Sequence, residues 1–126
     1  MSLLKAFNNH LVEFIDDVMT IYPENIDIKT GKTFLESLIK VNPKILITYW
    51  YANIRNEYKD KIDNGDIDFF INKDYNKDLA DDWKTGKVHK VIEEMRNLVN
   101  LSKPKNKETA MKYIQNLTKI SELYFK

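Results

Sequence analysis

The sequence predicts an all-α fold: a compact antiparallel bundle of five main helices with one or two short ones. Three observations carry this. Glycine and proline number only three each in 126 residues, too few for the many turns of an all-β fold. Apolar residues recur at spacings of three and four over long stretches, the period of an amphipathic helix. The breaks between these stretches are short, which favours antiparallel neighbours. A composition of 43% hydrophobic and 31% charged residues is that of a globular chain rather than a disordered one. The length predicts one domain, residues 1–126, able to bury about two-thirds of its unfolded surface.

The first helix is predicted from about Ser2 to Tyr22, with Ser2 as its cap and Leu3, Phe7, Leu11, Phe14, Val18 and Ile21 as its apolar stripe. Pro23 ends it. Residues 24–31 read as a polar connection, and Thr30 as the cap of a second helix from about Lys32 to Val41. Asn42-Pro43 reads as cap and first position of a third helix, running to about Asp63. Leu46, Trp50, Ile54 and Tyr58 lie along one line of it. Asn64-Gly65 is a stop signal, with Gly65 suited to the left-handed conformation. Short helices are expected around Ile67–Ile71 and Lys77–Trp83, with Gly86 as punctuation. A further helix is expected from about Val88 to Leu101. After the linker Ser102–Asn106, a last helix capped by Asn106 reaches about Tyr124.

Charge is divided along the chain. Residues 1–83 hold ten Lys and Arg against fifteen Asp and Glu, while residues 84–126 hold ten against four. The near-neutral total conceals an acidic body followed by a basic end, a pattern that points to nucleic acid, an acidic partner or a self-complementary assembly. The absence of cysteine excludes disulfides and thiolate metal sites. Asn8, Asn9 and His10 interrupt the N-terminal apolar run, so it lacks a signal-peptide core. No uncharged run approaches the ~20 residues of a membrane span. The expectation is a soluble intracellular protein.

Catalytic patterns are incomplete. Thr30-Gly31-Lys32-Thr33 has the end of a phosphate-binding loop but carries Ile26 where the first glycine belongs. Gly31 is read instead as a turn glycine at a helix start. Lys29-Thr30-Gly31-Lys32 recurs as Lys84-Thr85-Gly86-Lys87, without matching flanks. Asp60 to Ile71 matches several positions of a calcium loop, yet Ile62 and Ile71 replace oxygen ligands. His10 with Glu13, and His89 with Glu93, each offer two metal ligands where a catalytic site usually takes three. No nucleophile elbow is present. No cofactor, metal or catalytic residue is predicted, and the chain reads as non-enzymatic.

Two groups of candidate binding residues remain. Lys84, Lys87, Lys90, Arg96, Lys103, Lys105, Lys107 and Lys112 form a basic surface able to meet a phosphate backbone or an acidic protein; Lys119 and Lys126 extend the same basic end. Nearly all are lysines, which suit backbone contact rather than base readout. Tyr49, Tyr51 and Arg55 are candidate partner anchors. Trp50 between the two tyrosines reads as core, and the tyrosines either as part of a buried aromatic layer with hydroxyls reaching water or as half-exposed anchors.

The stretch Asp16-Asp17-Val18-Met19-Thr20-Ile21-Tyr22-Pro23-Glu24, followed by Lys32-Thr33-Phe34-Leu35-Glu36, Val41-Asn42-Pro43-Lys44 and Asp68-Phe69-Phe70-Ile71-Asn72-Lys73-Asp74-Tyr75, resembles small uncharacterised proteins of large DNA viruses of algae and protists. The resemblance implies a viral origin, a virion or host-cytoplasm location and a role in assembly. It transfers no site residue. The expected function is a helical interaction protein docking on a protein partner or a second copy through complementary charged faces, with association with nucleic acid as the alternative.

Overall fold

The computed structural model describes residues 2–66 and 83–126, with backbone only for Glu57, Trp83, Lys84 and Thr85. All regular structure among them is helical, as the apolar spacing predicts. The short helices expected within residues 67–82 lie outside the described residues.

Helix α1 spans Leu3–Ile21, and the Ser2 side chain accepts from Lys5 N–H at 3.2 Å. Of its predicted stripe Phe7, Leu11, Phe14 and Val18 are buried, joined by Ile15, while Leu3 and Ile21 at the helix ends are exposed. Helix α2, Ile26–Val41, starts earlier than the sequence suggests. Asn25 caps it, accepting from Ile28 N–H at 2.9 Å. Ile28, Gly31, Leu35 and Leu38 then make one buried stripe, so residues 26–31 are helix rather than connection. Gly31 is accordingly no turn glycine. It sits mid-helix where an added Cβ would lie 3.0 Å from Val91 Cγ1, and its missing side chain lets two helices approach.

The third predicted helix is three segments: α3 (Ile45–Trp50), a π-helical turn (Tyr51–Arg55) and α4 (Asn56–Asp63). Pro43 precedes α3 instead of opening it. Asn42 accepts from Lys44 N–H at 3.2 Å, and the Pro43 carbonyl accepts from Asn8 Nδ2 at 2.9 Å. The π-turn has a physical reason. Leu46, Trp50, Ile54, Tyr58 and Ile62 are all buried at a spacing of four. Four α-helical residues turn about 400°, so such a line drifts about 40° per step. One extra residue in a turn takes back about 100° and keeps the line facing the core. Tyr58, at φ −127° and ψ 16°, adds a kink. Gly65 ends α4 at φ +70°, the conformation predicted for it.

Helix α5 spans Trp83–Asn100 and α6 spans Pro104–Tyr124. Gly86 lies inside α5 rather than punctuating it. Pro104, with its φ preset for a helix start, opens α6; Lys103 precedes it without a side-chain cap bond. Asn106 is therefore a first-turn residue and not the cap.

The helices pair antiparallel. Asn25 and Phe34 of α2 meet Glu94 and Lys87 of α5 in reverse order. Phe14 of α1 stacks on Tyr113 of α6 at 4.9 Å, while Phe7 and Thr118 meet on opposite sides of Trp50. Trp50 is the centre of the core, as read from sequence. Phe7 packs edge-on to it at 6.0 Å, and its indole N–H donates to Thr118 Oγ1 at 2.9 Å, so the one polar atom of the ring is satisfied. The Tyr22 hydroxyl donates to the Leu98 carbonyl at 2.7 Å and ties the α1–α2 connection to the end of α5.

Candidate functional site

The predicted site residues divide into three environments. The first is buried. Arg96, placed among the surface cations by sequence, is only 6% exposed. Its Nη2 donates to Glu93 Oε1 at 3.0 Å. Glu93 Oε2 lies 3.3 Å from His89 Nε2, and His89 Nδ1 lies 3.2 Å from the Tyr49 hydroxyl. Tyr49 is 8% exposed, which fits the buried aromatic layer rather than a half-exposed anchor. The order hydroxyl, imidazole, carboxylate is that of a proton relay, but Tyr49 and His89 line neither of the surface grooves described below. The arrangement lies inside the core, with Tyr49, His89 and Arg96 all buried. The pairs His10–Glu13 and His89–Glu93 do not join into a metal cluster; among the described residues no three such side chains converge.

The second environment is a groove of about 540 Å³ between α2 and α5. Gly31, Phe34 and Val91 form its apolar floor, and Lys87 and Lys90 stand on its rim with Asp27, Glu93 and Glu94. Lys87 Nζ sits 5.7 Å from the Phe34 ring centroid, a cation–π distance. Parts of the two Lys-Thr-Gly-Lys copies meet here, Thr30 and Gly31 from one and Lys87 from the other. Charges of both signs share the rim, so Lys87 and Lys90 do not present a purely basic face. The Lys84 side chain lies outside the described residues.

The third environment is α6. Lys103, Lys105 and Lys112 are exposed and Lys107 is half-buried. None of these four forms an ion pair among the described residues. Beside the lower half of α6 lies a second groove, of about 620 Å³, lined by Tyr51, Arg55, Lys119, Leu123, Phe125 and Lys126 among others. Two predicted anchors thus meet, placed there by the π-turn. Tyr51 packs on Phe125 at 4.7 Å between ring centroids, and the Arg55 guanidinium lies 5.1 Å from the Tyr51 centroid. Arg55 Nη2 also pairs with Glu122 at 3.3 Å.

Several acidic side chains are treated differently from the α6 lysines. Asp16 pairs with Lys32 at 2.6 Å, Asp63 with Lys59 at 2.6 Å and Asp66 with Lys61 at 3.9 Å. The bonds to Asp16 and to Asp63 hold the Lys32 and Lys59 ammonium groups above their usual range. Asp17 accepts from the Tyr113 hydroxyl at 2.6 Å. Burial and then that hydrogen bond push the Tyr113 phenol up to about 12. Asp16, Asp63 and Asp66 are thus neutralised by lysine neighbours, while Glu24, Asp27, Glu36 and Asp60, like the α6 lysines, form no ion pair among the described residues. Helicity was legible in the sequence; this pairing pattern was not, because it depends on which helices lie side by side.

No family model matches the chain, and no curated protein or solved structure is significantly similar to it. Among the described residues no helix is long and apolar enough to cross a membrane.

Proposed function

We propose that this protein is a non-enzymatic interaction protein that docks through its basic side on an anionic partner, as a component of an assembly. The observation that supports the reading most is the row of exposed lysines on α6: Lys105, Lys112 and Lys119 form no ion pair among the described residues, whereas Asp16, Asp63 and Asp66 have lysine partners. Unpaired charge of one sign on a folded surface raises the local concentration of the opposite charge and steers its approach. A viral role accords with the resemblance described above and remains part of the same proposal.

A second copy of the chain is the weaker partner. Exposed ion pairs stabilise by about 0.2–1 kcal/mol each, and association sets about 4–15 kcal/mol against them. A partner dense in negative charge gains more, through release of its condensed counterions. The test is retention on immobilised heparin at low salt. The native protein is expected to bind and to elute with rising salt. Passage straight through the column would end the proposal.

A further inference from the structure

Lys105, Lys112, Lys119 and Lys126 are seven residues apart and all exposed. The helix opens at Pro104, so Lys105 stands inside it and shares one line with Lys112 and Lys119; Lys126 lies beyond the helix end. Successive lysines on the helix stand about 10 Å apart, and the three span about 21 Å. No ion pair neutralises any of the four among the described residues. Of the two acids on α6, Glu122 is held by Arg55 and Lys59. Glu108 stands beside the line, and Thr109, Asn116 and Leu123 form the next exposed column.

We infer that this face of α6 is a docking surface for the phosphate backbone of double-stranded nucleic acid, bound without sequence preference. The inference rests on the anionic-partner reading above and names the partner. Charge complementarity is the first ground: Lys105, Lys112 and Lys119, without an ion pair among the described residues, cover about six base pairs of duplex axis, a length crowded with phosphate charge, and Lys126 adds a fourth cation beyond the helix end. Side-chain chemistry is the second. Lysine is a strongly hydrated point charge that meets phosphates, and the exposed face offers no arginine fork to read base edges. An acidic helix is disfavoured because the neighbouring column of Thr109, Asn116 and Leu123 provides almost no apolar seam. A single strand is disfavoured because stacking needs free aromatic faces, and Tyr51 and Phe125 are packed on each other with Arg55 over Tyr51.

The experiment is fluorescence anisotropy of the full chain with a labelled 20-base-pair duplex across a salt series, beside labelled polyglutamate and a single strand of the same length. Four phosphate contacts predict a slope of log affinity against log salt of about −3.6, or roughly a 150-fold loss between 50 and 200 mM salt. Lys112→Gln/Lys119→Gln, with helicity unchanged by circular dichroism, should halve the slope to about −1.8 and reduce that loss to roughly 12-fold. Lys40→Gln on α2 should leave both values as they are. An unchanged slope in the double variant would overturn the assignment to α6, and preference for the single strand would overturn the duplex. Binding of polyglutamate without duplex would sink the nucleic-acid inference and leave the anionic-partner reading standing. Binding of neither would end both.

Discussion

Arg96 on α5 and Lys112 on α6 belong to the same basic stretch of sequence, but the fold uses them in opposite ways. Arg96 is enclosed in the core, bonded to Glu93, which also meets His89. Lys112 stands in solvent without an ion pair among the described residues. The charge of Arg96 is thus held within the core, and that of Lys112 is left at the surface. A count of cations along the chain treats the two alike; only burial and pairing separate structural charge from docking charge.

The comparison can be broken most strongly on the α5 side. Arg96→Ala strands Glu93 and should lower unfolding stability by about 2–3 kcal/mol, below the full range for a buried pair because Glu93 is partly exposed. Urea titration measures it, and affinity of the folded variant for heparin should not change. A loss below about 0.5 kcal/mol would mean the core network is not structural. The α2–α5 seam comes next. Gly31→Ala drives a Cβ against Val91; overpacking of about 1–3 kcal/mol, offset by up to ~1 kcal/mol of helix propensity, leaves a net loss of about 1 kcal/mol. A stabilised variant would show that Val91 gives way freely.

Tyr113 sharpens the comparison through pH. Its folded pKa, about 12, lies above the usual phenol value. The stability it contributes is therefore fully present below about pH 10, the unfolded phenol value, and is lost as pH rises towards 12. Thermal melts from pH 9 to 12 should show this fall, and Tyr113→Phe should flatten it. A steep fall that survives in the phenylalanine variant would place the titration elsewhere. The smallest effect belongs to α6 itself. Lys112→Gln should alter stability by no more than about 0.5 kcal/mol, since the side chain is exposed and forms no ion pair among the described residues. A larger loss would mean that Lys112 has a structural partner.

The helical class, the α1 stripe with its Ser2 cap, the burial of Trp50 and the stop at Gly65 could all be read from the chain, because each depends on local spacing or on one residue's backbone freedom. Helix starts were less legible. Thr30 and Asn106 have the chemistry of caps, but Asn25 and Pro104 lie upstream, and the apolar stripe of α2 continues back through Gly31, which does not look apolar in a sequence. The π-turn leaves only an indirect trace, a run of core residues four apart that a regular helix cannot keep on one face. The candidate site was legible as a list of lysines and not as a surface. Arg96 leaves the list because its neighbours bury it, and Lys105, Lys112 and Lys119 become one line because the final helix opens at Pro104.

Amide chemical-shift mapping of the labelled protein during titration with a short duplex tests the central claim most directly. The account predicts perturbations centred on Lys105, Lys112, Lys119 and their neighbours along the outer face of α6, with α2 and the Lys87–Lys90 rim of α5 unaffected. Perturbations centred on the α2–α5 groove, or none at low salt, would contradict it.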